Sequence, residues 1–170
     1  MKTWLRITLI VMSVGGGSAG VFVTVPLVFA ADQIFLNRLL AFVFVILYGF
    51  IVTSGLLFIH RPEETTPLKV ALALQIFWLS MPSFTYYLAS GAYFFVRFGG
   101  MDVDRIGFSL TYSLGSRFTI NFSGEHWNFG INLFAAGLLY LLEKSDKANK
   151  SAEAARSIAN PVKQSDVTAS

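Results

Sequence analysis

The sequence predicts an all-α integral membrane protein: a bundle of four transmembrane helices with a β-hairpin cap on the non-cytoplasmic side. Three observations carry that expectation. Hydrophobic residues make up 54% of the 170-residue chain. Only 14% of residues are charged, where a soluble domain carries about 25%. Long apolar runs recur between short polar loops, and one segment, residues 106–123, departs from them by alternating apolar and polar side chains.

An apolar run of roughly 20 residues crosses a hydrocarbon core about 30 Å thick. By that measure spans fall at about 7–31, 39–59, 70–96 and 127–142. The first carries Gly16 and Gly20, four apart, the spacing that lets helices approach closely in lipid. Its Gly15-Gly16-Gly17 run predicts a local bend. The stretch "GGGSAG" lacks the lysine and following hydroxyl of a phosphate loop. Val28-Phe29-Ala30 would serve as a signal-peptide cleavage site, but the preceding apolar stretch of about 25 residues exceeds an h-region, so a span is the expectation. The fourth run is short for a span and begins at Trp127, a residue suited to the membrane interface.

The third run is greasy but not uniformly so. Gln75 stands early and Pro82 interrupts. Ser83, Tyr86, Ser90, Tyr93 and Arg97 then follow at spacings of three and four, which on a helix form one face. A polar face in hydrocarbon turns toward other helices or a wet cavity, so these residues are expected to make helix contacts or to line a small-solute pathway.

Between the last two runs, Ile106, Phe108, Leu110, Tyr112 and Leu114 alternate with Gly107, Ser109, Thr111 and Ser113. After Gly115-Ser116, Phe118, Ile120 and Phe122 alternate with Arg117, Thr119 and Asn121. Two period-2 runs joined by a glycine-containing dipeptide predict a hairpin. Open strand edges cannot face lipid, so the hairpin is expected as an outer cap, with Ser109, Thr111, Ser113, Arg117, Thr119 and Asn121 offered to a partner. Outer-membrane barrel strands alternate in the same way, but with only one such hairpin a barrel is not expected.

Charge orients the chain. Lys2, Arg6, Arg61, Lys69, Lys144, Lys147 and Lys150 fall on one side of the spans, against Arg38, Arg97, Arg105 and Arg117 on the other. The positive-inside rule then places both termini in the cytoplasm, with a bacterial inner membrane as the expected location. From Glu143 the composition turns polar, predicting a mostly disordered cytoplasmic tail over 143–170 with at most a frayed helix near Ser151 to Ala159.

Chemistry-bearing groupings are sparse. Glu125 and His126 sit together where the hairpin meets the fourth run, as an interfacial polar site. No second histidine is near them, and His60 belongs to the opposite membrane side. Asp102 and Asp104 could join Glu125 around a hard cation such as calcium, though solvated charges at headgroup level are the plainer expectation. No nucleophile motif, nucleotide fingerprint or zinc signature occurs, so neither a catalytic residue nor a metal or cofactor is expected. The net charge of +3 is not gathered into a basic patch with interleaved aromatics, which speaks against nucleic acid. The expected function is a non-catalytic accessory or assembly component, in contact with the lipid bilayer and with a membrane protein partner or further copies of itself. A small-solute transporter or channel subunit is the first alternative, and a membrane enzyme using Glu125 and His126 the second.

Overall fold

The computed structural model describes residues 1–30, 34–81, 84–102, 105–121 and 127–159. It replaces the all-α four-helix bundle with four helices and a six-stranded antiparallel sheet. Helix α1 (Thr3–Phe29) and helix α2 (Phe35–His60) coincide with the first two expected spans, and each is long and apolar enough to cross a membrane by length and composition. The other two expected spans are not transmembrane helices. Residues 70–96 hold the end of α3 (Thr66–Ala73), then β1 (Phe77–Met81), β2 (Phe84–Ala89) and the start of β3 (Ala92–Asp102). Residues 127–142 hold β6 (Asn128–Asn132) and the first turns of α4 (Leu133–Ala159).

The reason lies in residue type. Phe77, Trp78, Tyr86, Tyr87, Tyr93, Phe94, Phe95 and Val96 are aromatic or β-branched, types that pack well on a pleated surface. The Ser90-Gly91 pair then breaks the run, with Gly91 at φ +83, a value that disfavours any side chain. The tail differs as well. α4 continues without interruption to Ala159, so residues 143–159, expected to be mostly disordered, form its polar second half.

Four helical segments still converge at one end of the molecule. Leu5 and Leu9 of α1, Phe58 of α2, Leu68 and Leu72 of α3, and Leu138 and Leu142 of α4 form a single buried cluster. Just beyond it, Asp146 of α4 accepts from Lys69 Nζ of α3 at 2.6 Å and from Thr65 Oγ1 at 3.3 Å, with Lys150 Nζ at 3.6 Å. The Asp146 side chain is only 13% exposed, and the Lys69 ammonium holds its carboxyl below the ordinary value of 3.8.

The strand order is β4-β3-β6-β1-β2-β5, with β4 (Arg105–Leu114) and β5 (Arg117–Asn121) at the two edges. This corrects the expected hairpin. Both strands and the Gly115-Ser116 turn are present, but β4 pairs with β3 and β5 with β2. Two residues can join opposite edges only if the sheet curls. Curvature is visible in the rings as well: β2 and β3 would stand about 14 Å apart in a flat sheet, yet Tyr87 and Phe95 meet at 5.7 Å between centroids. The sheet is thus a curled half-barrel.

The junction between helices and sheet is tight. Residues Val11–Gly16 of α1 form a π-helical turn, at the site of the expected bend. The Met12 carbonyl accepts from Ser90 Oγ at 3.0 Å, and the Gly16 carbonyl accepts from Ser116 Oγ. A Cβ on Gly16 would lie 2.3 Å from the Gly91 nitrogen, and one on Gly20 would lie 2.3 Å from Tyr48 Cδ1 of α2. Of the paired glycines, Gly20 therefore faces a helix, whereas Gly16 faces the strand link.

Two outcomes follow from these contacts. Gly16→Ala should cost about 1–3 kcal/mol through overpacking, whereas Gly15→Ala, whose Cβ meets nothing within 4 Å, should be neutral or stabilising by up to about 1 kcal/mol. Thermal unfolding in mild detergent compares the two. For Asp146, the depressed carboxyl value means that its contribution is fully present above 3.8 and is lost as pH falls through the lower, folded-state value. Asp146→Asn should cost about 0.5–1 kcal/mol at neutral pH. Its unfolding temperature should converge with that of wild type on acidification below the ordinary aspartate range.

Candidate functional site

Alternation along each strand sorts the sheet into two unlike faces. The outer face carries Phe77, Leu79, Leu88, Phe94, Val96, Phe98, Phe108, Leu110, Tyr112, Leu114, Phe118 and Phe129. Helix α2 covers part of it: Phe44 packs against Phe118 at 4.4 Å between centroids, with the rings tilted by 36°, and shares a buried cluster with Tyr48, Ile51, Ala71 and Leu88. The remainder is open.

The inner, concave face is polar and aromatic. Register places Ser109, Arg97, Gly130, Trp78, Tyr87 and Thr119 in one row across the whole sheet. The row nearer the helices holds Thr111, Phe95 and Asn132 on one side and Ala89 opposite Arg117 on the other. Beyond them, Tyr93 stands opposite Ser113. The far row holds Gly107, Gly99, Asn128, Ser80 and Thr85, with Asn121 in register opposite Thr85. All six residues expected to form a partner surface thus belong to strands that bound the concavity, rather than to a separate hairpin.

Packing on this face is specific. The Trp78 and Tyr87 rings stack at 4.7 Å, and Phe95 meets Trp78 edge-on at 5.3 Å. The Arg97 guanidinium lies 4.3 Å from the centre of the Trp78 ring, a cation–π contact. Arg97 Nη2 donates to Thr111 Oγ1 at 3.0 Å. Gly130 makes this possible: a Cβ there would lie 3.0 Å from Arg97 Cγ and 3.1 Å from Trp78 Cβ. Arg97 Nε and Trp78 Nε1 are both buried and lack a hydrogen-bond partner among the described residues. Arg117 of β5 is close enough to the Tyr93 side chain of β3 to interact with it electrostatically across the concavity.

The expected helical face of Gln75, Ser83, Tyr86, Ser90, Tyr93 and Arg97 does not form, because that stretch is mostly strand. Gln75, after α3, accepts from the Ser90 backbone N–H at 2.9 Å, and Ser90 lies in the β2–β3 link. Tyr86 donates its hydroxyl to the Leu74 carbonyl at 2.9 Å on the outer side. Tyr93 and Arg97 alone of the set share the concave face, while Ser83 lies outside the described residues. Glu125, His126 and Asp104 lie outside them too, so the interfacial site and the cation reading fall beyond what the structure describes. Among the described residues, no group of three His, Cys, Asp or Glu side chains comes together.

Trp78, Thr85, Tyr87, Phe95 and Gly130 escaped sequence reasoning. A signal was present: Trp78-x-Ser80 and Tyr93-x-Phe95-x-Arg97-x-Gly99 alternate with apolar neighbours. Comparison with family models, with curated proteins and with solved structures finds no match in any of the three.

Gly130→Val should push Arg97 off Trp78, whereas Gly137→Ala, in open space, should not. With Trp4 and Trp127 changed to Phe, the Trp78 emission should shift in the first variant only; an unchanged spectrum would contradict the packing described.

Proposed function

We propose that the chain is an integral membrane protein that acts by binding, without catalysis of its own, and that the concave face of the sheet is its working surface. One observation carries this reading: the curled sheet is aliphatic and phenyl-rich outside, whereas its inside mixes polar side chains with a buried aromatic cluster. On the outer face Leu114 is 83% exposed, Tyr112 78%, Phe108 57% and Leu110 52%, alongside Phe22 at 81% and Phe35 at 79% on the helices. Soluble proteins rarely leave so large an apolar area in water, and lipid contact removes that cost. Inverted distribution of this kind is what membrane strands use. Strands that cross lipid need about 9–11 residues; β3 and β4 reach that with 11 and 10, whereas β1, β2, β5 and β6 have 5 or 6 and stop partway.

Charge distribution supports one orientation. Arg6 donates to the Ile59 carbonyl at 3.2 Å and Lys69 pairs with Asp146. The first turn of α1, the end of α2, the start of α3 and the middle of α4 therefore gather at one end, and the seven Lys and Arg residues on these segments make it the cytoplasmic one. Both termini then lie in the cytoplasm, and the sheet extends from mid-membrane toward the outside.

The chain has no cysteine, so single cysteines can be labelled cleanly. In spheroplasts treated with an impermeant maleimide, Ser109→Cys and Thr111→Cys should react. Leu110→Cys and Leu114→Cys should react only after denaturation, and Lys147→Cys only after permeabilisation. Equal reaction at positions 109 and 110 would mean that both faces meet water and would sink the reading.

A further inference from the structure

We propose that the concavity binds the anionic head group, phosphate or carboxylate, of a membrane amphiphile whose apolar chain leaves through the seam between β4 and β5. This rests on the membrane seating argued above and adds what the inner face holds there. The argument begins with Arg97. A guanidinium carries several N–H donors and no acceptor, and the bond to Thr111 uses one of them. Its Nε, like the indole Nε1 of Trp78 beneath it, is buried without a partner among the described residues. Buried donors are normally satisfied, and on the half-buried Arg97 it is Nε that is buried and unmet. The inner rows from Thr111 to Gly107 hold no carboxylate among the described residues; Asp102 ends β3 in register opposite Arg105, and Glu63, Glu64 and Asp146 are at the helical end.

A second guanidinium, Arg117, serves the same concavity from β5. Two guanidiniums match an oxyanion that accepts bidentate bonds, and they disfavour a cationic or neutral head group. Arg97 is held over the Trp78 ring, 4.3 Å from its centre, and tied to Thr111.

The seam supplies the place for the chain. β4 and β5 are the sheet edges, tied by Gly115-Ser116 at one end and, among the described residues, paired with no strand along their outer sides. Strand edges facing lipid leave backbone groups unmet, whereas a seam that opens onto a polar interior gives them water or ligand. Its β4 lip carries exposed Leu110 and Tyr112. An occupant with an anionic end inside and a hydrocarbon end outside satisfies both environments at once.

The full chain, purified in dodecyl maltoside, tests this with dodecyl phosphate, inorganic phosphate and dodecyltrimethylammonium as probes, read by Trp78 emission in the Trp4→Phe, Trp127→Phe background and by thermal shift. Dodecyl phosphate should bind saturably to the wild type. Arg97→Gln should weaken it by roughly tenfold or more, Arg117→Gln by a smaller factor, and Arg61→Gln, at the helical end, not at all. Inorganic phosphate should bind more weakly than the dodecyl ester, and dodecyltrimethylammonium should produce no saturable signal. Arg117 is exposed, so its variant keeps the test valid if Arg97→Gln fails to fold. Equal binding by wild type and Arg117→Gln, or no saturable binding at all, would overturn the site. Equal affinity for inorganic phosphate and its dodecyl ester would overturn the exit of a chain through the seam. Loss of binding with the labelling pattern intact would remove the ligand and leave the membrane seating standing.

Discussion

The Ser90-Gly91 link is the constraint on which the rest depends. It must carry the chain from β2 to β3, two strands separated in the sheet by β1 and β6, and it must do so with its backbone polar groups away from water. Each of those groups that the structure describes is taken. The Ala89 carbonyl accepts from Tyr48 of α2 at 3.1 Å, the Ser90 N–H donates to Gln75, and the Gly91 N–H and carbonyl meet Ser116 and Gly115. Gly91 and Gly115 continue the β3–β4 register beyond Ala92 and Leu114, and both have positive φ. From there one chain runs to β2 and the other to β5 at the far side of the sheet, which only a curled sheet allows. The curl is therefore written into two glycines and the hydroxyls around them.

From that curl follows the division of faces. Curling a strongly alternating sheet puts one set of side chains on a small inner surface and the other on a large outer one. Here the polar and aromatic set is inside, where Trp78, Tyr87, Tyr93 and Phe95 cluster around Arg97, and the aliphatic and phenyl set is outside. The π-helical turn of α1 belongs to the same arrangement. Within it the Met12 and Gly16 carbonyls accept from Ser90 and Ser116, and π-turns are frequent at functional points of helices. Asn132 completes the junction by accepting from Phe94 and Ala135 backbone N–H groups at 3.1 and 3.4 Å, which caps α4 while holding β6 against β3.

Legibility in the sequence was uneven. The first two helices were readable because a long apolar run with glycines four apart has few alternatives. The strands at 105–114 and 117–121 were readable from period-2 alternation, and the turn from Gly115-Ser116. Their partners were not, because register between strands distant in sequence leaves no local mark. The run at 70–96 misled for a different reason. Its strands carry aromatics on both faces, so a window average reads them as uniformly apolar. Ser83, Tyr86, Ser90, Tyr93 and Arg97 also satisfy a helical spacing by coincidence. The decisive sign was the alternation of Tyr93, Phe95, Arg97 and Gly99 with Phe94, Val96 and Phe98. Residues 143–159 read as solvated because their helix borrows its order from Leu138, Leu142 and the Asp146 clasp rather than from an apolar face of its own.

The central claim, that β4 and β5 are separate edges of one curled sheet rather than a hairpin beside a helical span, reduces to a choice of neighbours. In the cysteine-free chain, Val96→Cys with Leu110→Cys joins residues opposite one another in the β3–β4 register, whereas Tyr112→Cys with Thr119→Cys joins residues that only a β4–β5 hairpin would pair. Mild oxidation in native membranes should cross-link the first pair and not the second. Cross-linking of the second pair alone would contradict the account.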